Sequence, residues 1–148
     1  MAKPLSILLV EDDADDALLF RRHCPARAQL THVLDVESAL QRLRQGSIDI
    51  CFTDYQLAAA SGLDLIRRAR NEGLRVPLVV ITGQEIESLG ENALLAGATD
   101  FVPKDDLDVA VIERVARWAL IRRHVESRRE DSLSEEAVLQ LLGRPPVP

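Results

Sequence analysis

Acids, a hydroxyl and a lysine stand at the ends of short apolar runs, which is where phosphoryl chemistry would need them. Glu11-Asp12-Asp13 follows the run at 6–10, with Asp15 and Asp16 close behind. Asp54 follows the run at 48–53, Thr82-Gly83 ends the run at 76–82, and Pro103-Lys104 follows the run at 99–102. Five acids between positions 11 and 16 repel one another, and holding two of them beside Asp54 is costly unless a cation neutralises them. A hard, oxygen-rich site of this kind suits Mg²⁺, which takes carboxylates and keeps several waters. With that charge compensated, the Asp54 carboxylate is a nucleophile for a phosphoryl group. Lys104 would offset charge on one transferring oxygen, and the Thr82 hydroxyl would donate to another. Each feature also has a plainer reading. Acids after a strand often cap the next helix, so Asp12 and Asp13 read equally as caps. Thr31, Thr53 and Thr99 read as ordinary strand residues.

The elements that must position these groups follow from hydrophobic patterning. The apolar runs at 6–10, 31–36, 48–53, 76–82 and 99–102 are short and rich in β-branched residues and leucine. Three of them are almost continuously apolar, as strands covered on both faces are. Segments with helical spacing lie between and after them, at 13–23, 37–45, 63–71, 86–96 and from 107 to about 130. Strand followed by helix, five times, predicts an α/β fold with an open, doubly wound parallel sheet and helices on both faces. Ligands of such sheets bind beyond the carboxyl ends of the strands, where the residues above collect. A short capped helix is predicted at 134–143, and 144–148 is an extended, proline-rich tail.

Taken together in order, these motifs resemble the receiver domain of bacterial two-component response regulators. The resemblance covers about residues 5–122 and rests on Ile7-Leu8-Leu9-Val10-Glu11-Asp12-Asp13, Thr53-Asp54, Ser61-Gly62-Leu63-Asp64-Leu65-Ile66, Val79-Val80-Ile81-Thr82-Gly83, and Gly97-Ala98-Thr99-Asp100-Phe101-Val102-Pro103-Lys104. It implies a flavodoxin-like sheet of order 2-1-3-4-5. It also implies Asp54 as phosphoacceptor, with Asp12, Asp13, Asp54 and the backbone carbonyl of Gln56 holding Mg²⁺. Thr82 would contact the phosphoryl group and Lys104 would pair with it. Phe101 would be an aromatic switch residue that, with Thr82, reshapes the face of the fourth helix, fifth strand and fifth helix. Read from the residues alone, Phe101 is equally a core phenylalanine. The sequence departs from the family pattern in lacking a proline soon after Asp54 and in placing Gly83, where alanine is common, after Thr82.

Composition narrows the remaining classes. The 148 residues are 47% hydrophobic and 28% charged, the balance of one globular domain. A formal charge of −6 argues against coating nucleic acid or an anionic membrane. No run is long enough to span a bilayer, and Cys24 and Cys51 form no C-x-x-C pair, so a reduced, cytoplasmic protein is expected. His23, His32 and His124 are scattered, and no Walker A or G-x-G-x-x-G sequence occurs, so nucleotide hydrolysis has no support.

The expected protein is therefore a stand-alone response regulator and not an enzyme in its own right. Its receiver would occupy 1–122, and 123–148 would form an extension. Its expected partners are a histidine kinase or phosphotransfer protein, a downstream protein target at the fourth-helix/fifth-helix face, and a second copy as a homodimer. DNA binding and membrane insertion are not expected. A second reading comes from Arg114, Arg117, Trp118, Arg122 and Arg123 on one helix, where Trp118 would stack on a purine while Arg117 and Arg122 bind phosphate. That would make the chain a cyclic di-GMP-regulated or phosphorylation-independent adaptor. The simpler account of that helix is a basic solvent face.

Overall fold

Five runs pair into a single parallel sheet. In a computed structural model that describes residues 3–83 and 86–141, with side chains described except at 86–88 and 131–141, the elements alternate as patterning requires. They are β1 (Leu5–Val10), α1 (Ala14–Arg22), β2 (Ala28–Val33), α2 (Val36–Arg44), β3 (Ile50–Asp54), α3 (Gly62–Asn71), β4 (Leu78–Thr82), α4 (Ile86–Ala96), β5 (Asp100–Pro103) and α5 (Val109–Leu141). A single 3₁₀ turn, Lys104–Asp106, joins the last two. The sheet order is β2-β1-β3-β4-β5, as the resemblance implied.

Every residue of β3 and β4 is buried, which accounts for their apolar character up to the polar residues at their carboxyl ends, Thr53 and Asp54 of β3 and Thr82 of β4. Alternate side chains supply two cores. Leu8, Val10, Cys51, Leu78 and Val80 pack under α2, α3 and α4. Ile7, Leu9, Ile50, Phe52, Val79 and Ile81 pack under α1 and α5, where Phe20 meets Phe52 with ring centroids 5.1 Å apart.

Caps set the helix starts. Asp13, Asp35 and Ser61 accept backbone N–H groups at the starts of α1, α2 and α3, and Asp108 does so for α5. Ser61 and Asp64 form a reciprocal capping box.

Two sequence expectations change. The second strand is Ala28–Val33 and not 31–36, because Asp35 accepts the Ser38 N–H and draws residues 34–36 into the helix start. The helix expected to break before 134 instead runs unbroken from Val109 to Leu141, about 50 Å at 1.5 Å per residue. Neither glycine nor proline occurs between 131 and 141, so nothing stops propagation there. The expected tail, 144–148, and the last two residues of the expected short helix, Leu142 and Gly143, lie outside the described residues. No described helix is long and apolar enough to cross a membrane.

Gly62 is the fold's tightest constraint on the site. A Cβ at this position would lie 2.3 Å from the Asp54 carbonyl oxygen, which no backbone adjustment short of moving β3 or α3 relieves. Gly83, on the same edge, has only the Lys104 Cδ at an ordinary 3.6 Å. Gly62→Ala should therefore lower stability by about 1–3 kcal/mol, whereas Gly83→Ala should stay within about 0.5 kcal/mol of wild type. Urea unfolding of the two variants checks this.

Candidate functional site

Parallel pairing fixes where the acids meet. Val10 of β1 lies opposite Thr53 of β3, so the residues that follow, Glu11 and Asp54, leave the sheet side by side. Asp54 is buried at the last position of β3. Its backbone is held on one side by Gly62 and on the other by β4, since the Tyr55 N–H donates to the Ile81 carbonyl at 2.9 Å. The Gln56–Ser61 bridge then closes the following loop.

Carboxyl oxygens of Glu11, Asp12 and Asp54 all lie within 4.8 Å of one another. Asp12 also ties the two loops together, because its Oδ2 accepts the Ala58 N–H at 2.6 Å. Asp13 takes the other role open to it. Its Oδ1 accepts the Asp15 and Asp16 N–H groups at 2.9 and 3.0 Å and caps α1. The acid pair beside Asp54 is thus Glu11-Asp12, one residue earlier than expected. The strand register is the signal that points to Glu11, and the run of acids in the first turn of α1 is the signal that makes Asp13 a cap.

Lys104 closes the other side. Its Nζ donates to Asp16 Oδ2 at 2.8 Å and to Asp54 Oδ2 at 3.3 Å. Sequence reasoning did not single out Asp16 for this contact, which joins residues 88 apart in the chain. Thr82 is buried at the end of β4, paired in register with Pro103, the neighbour of Lys104. Asp12, Asp54, Gln56, Thr82 and Lys104 line one cleft of about 390 Å³, with Asp13 and Asp16 at its wall. The site residues expected from sequence therefore converge, with Asp13 turned to the helix.

The electrostatics follow from crowding. Burial pushes the Glu11 carboxyl up to about 8; the Asp13 N–H opposes this, and the charge of Asp54 and a hydrogen bond with it add to the rise. Burial pulls the Lys104 ammonium down, but the Asp16 hydrogen bond and the charges of Asp54, Glu11 and Asp16 outweigh it and hold the group above its usual value. A cluster of three acids, one held protonated by burial and repulsion, is a donor set that fits a small divalent cation.

Phe101, on β5, is half-buried in the core beneath α4. Its ring fills the space a Cβ would need at Gly90, with Cζ 2.8 Å from that position, so α4 carries a glycine in its interior despite the helix penalty. The same β5/α5 face exposes Trp118, Ile121 and Val125, and α4 exposes Leu94 and Leu95.

Of the residues expected to bind a nucleotide, Trp118 and Arg122 share a hollow and Arg117 does not. Arg114 and Arg129 line that hollow too, but so do Asp100, Asp105, Asp106, Asp108 and Glu126, acids that oppose a phosphate, and Arg122 Nη1 is bound to the Thr99 carbonyl. Arg117 lines a different hollow beside Lys3, Arg27 and Asp49, because one residue turns the helix by about 100°.

Comparison with known proteins agrees with this geometry. A family profile described as the response regulator receiver domain matches residues 7–116. The chain is 35% identical over 105 residues to the two-component response regulator PhoP of Pseudomonas aeruginosa, covering 68% of this chain and 45% of that protein. It is 30% identical over 154 aligned positions to the transcriptional regulatory protein PhoP of Escherichia coli K12, covering 90% of this chain and 66% of that protein. The chain thus spans about half to two thirds of these relatives. Among solved structures, the receiver domain of an HD domain-containing protein from Pseudomonas fluorescens Pf-5 superposes with a TM-score of 0.75 at 22% identity, covering 87% of this chain and 96% of that one. The receiver domain of the sensor histidine kinase PA1611 from P. aeruginosa, which has a magnesium ion coordinated in its active-site cleft, superposes with a TM-score of 0.70 at 25% identity, covering 79% and 98%. By sequence, by fold and by the acids gathered around Asp54, this chain belongs to the receiver-domain family of two-component response regulators.

Proposed function

We propose that this receiver is a phosphorylation switch in which Asp54 accepts a phosphoryl group from a phosphohistidine of a histidine kinase or phosphotransfer protein. The observation that carries the reading is a buried aspartate held between two further acids and a lysine at the carboxyl edge of the sheet. Glu11, Asp12 and Asp54 would hold Mg²⁺, with the Gln56 backbone carbonyl as a further ligand. The Mg²⁺ seen in the PA1611 receiver supports this assignment. When bound, Mg²⁺ neutralises the acid cluster and the charge on the transferring group.

The residues of the chain have distinct tasks. An Asp54 carboxylate oxygen attacks phosphorus, the P–N bond to the donor imidazole breaks, and the imidazole nitrogen keeps the electron pair and takes a proton. Lys104, already within reach of Asp54 Oδ2, moves its pairing to a phosphoryl oxygen. Thr82 contacts another oxygen from the end of β4. Because Thr82 and Phe101 lie on paired neighbouring strands, a shift at Thr82 would be felt by the Phe101 ring and hence by α4. The exposed apolar residues of α4 and α5 then offer a surface for a downstream protein or a second copy.

Three outcomes follow. Incubation with acetyl phosphate should add one phosphoryl mass to the wild type only when Mg²⁺ is present, and nothing to Asp54→Asn; intact-protein mass reads this, and labelling of the variant would remove Asp54 from the chemistry. Lys104→Ala should fold, since partly exposed ion pairs contribute about 0–1 kcal/mol. The wild type should change the emission of Trp118, the single tryptophan, when beryllofluoride is added, and this variant should not. Glu11 binds its proton more tightly in the folded chain than at its ordinary value of 4.5, so its contribution to stability is complete below that pH and is lost as pH rises to about 8. Melting curves without Mg²⁺ should show this decline, and Glu11→Gln should flatten it.

A further inference from the structure

Four arginines crowd one recess at the edge of the sheet opposite Asp54. Arg70 of α3, Arg75 of the following loop, and Arg122 and Arg123 of α5 line a hollow of about 380 Å³ in which Glu126 is the one carboxylate among the described residues. The hollow lies where β4 and β5 begin, since Pro77 and Thr99 also line it. The length of β4, about 17 Å at 3.3 Å per residue, separates it from the Asp54 cleft.

Part of this cluster is structural. Arg70 donates from Nε to the Gly97 carbonyl at 2.9 Å, and from Nη1 to the carbonyls of Leu74 and Val76 at 2.8 Å. Arg122 holds the Thr99 carbonyl at 2.9 Å, and Arg75 pairs with Glu130. These contacts use donors but leave most of the charge in place, because a carbonyl cancels none of it. Against four guanidinium groups stand Glu126 and Glu130, an excess of two positive charges. Burial pulls the Arg70 guanidinium below its usual range; Glu126 opposes this, while Arg123 and Arg75 push it further. Arg123 Nη1 is buried and has no hydrogen-bond partner. A buried, charged donor without an acceptor is costly, and its natural complement is an oxyanion.

We propose that this recess is an anion site for a compact molecule carrying one or two phosphate groups, with Arg123 as its central donor. Guanidinium forks match phosphate oxygens in pairs, and four of them converge here from three segments of chain. An occupant would bridge α3, α5 and the turn between α4 and β5, because Arg70 holds Gly97 and Arg122 holds Thr99. The site is distinct from the phosphoacceptor cleft and does not depend on its chemistry.

Calorimetric titration of the whole chain with inorganic pyrophosphate, in EDTA and at physiological ionic strength, tests this. The wild type should show one saturable site. Arg123→Gln should weaken it by roughly tenfold or more, the loss expected for a charge-assisted donor pair. Arg75→Gln, at an exposed side chain where folding is not at risk, should also weaken it. Arg117→Gln, outside the recess, and Asp54→Asn should both bind as the wild type does. Absence of saturable binding would overturn the proposal. So would unchanged affinity in both Arg123→Gln and Arg75→Gln, or an equal loss in Arg117→Gln, which would mean diffuse charge attraction.

Discussion

Three carboxylates are forced together by strand pairing, and much of the site answers to that crowding. Parallel register sends Glu11 and Asp54 out of the sheet as neighbours, and the Ala58 N–H holds Asp12 beside them. Within 4.8 Å, each pair of full charges repels by about 3–4 kcal/mol or more at an effective dielectric constant near 20. The chain relieves this in two ways of its own. Glu11 keeps its proton to about pH 8, and Lys104 reaches in from the 3₁₀ turn after β5 to Asp54 and Asp16. A divalent cation would relieve it a third way, and would leave Asp54 ionised yet compensated, the state a nucleophile needs.

Much of this was legible in the sequence because the chemistry sits at strand ends, and strand ends are marked by where apolar runs stop. Asp54, Thr82 and Lys104 are each the residue that ends or follows such a run. The choice between Glu11 and Asp13 was not legible, since both follow the same strand and both are acids. Register decides the first and helix capping the second, and neither is a property of composition. Asp16 was hidden for the same reason: its partner is 88 residues away. The start of α2 shows local competition, where Asp35 captures the Ser38 N–H and shortens the expected strand. α5 shows the reverse, because Ser134 reads as a cap in isolation but the helix had no break before it.

In the proposed switch, a change at Asp54 would travel along β4 and β5. β4 and β5 are paired along their length, with Thr82 and Lys104 at one end and the arginine recess at the other. Phe101 lies between, against a glycine that leaves just enough room for its ring. Phe101 packs in the core beneath α4 and Val102 in the core beneath α5, so a shift of this strip would reach those two helices first.

The central claim is that repulsion within the Glu11–Asp12–Asp54 cluster is what a cation relieves. The most direct measurement is the melting temperature of wild type and Asp12→Asn at neutral pH, each with and without Mg²⁺. Asparagine keeps an oxygen for the Ala58 N–H while removing one charge. The account predicts that, without Mg²⁺, the variant melts above the wild type, and that Mg²⁺ raises the wild type while leaving the variant nearly unmoved. A wild type indifferent to Mg²⁺, or a variant that melts below it in the absence of the ion, would contradict the account.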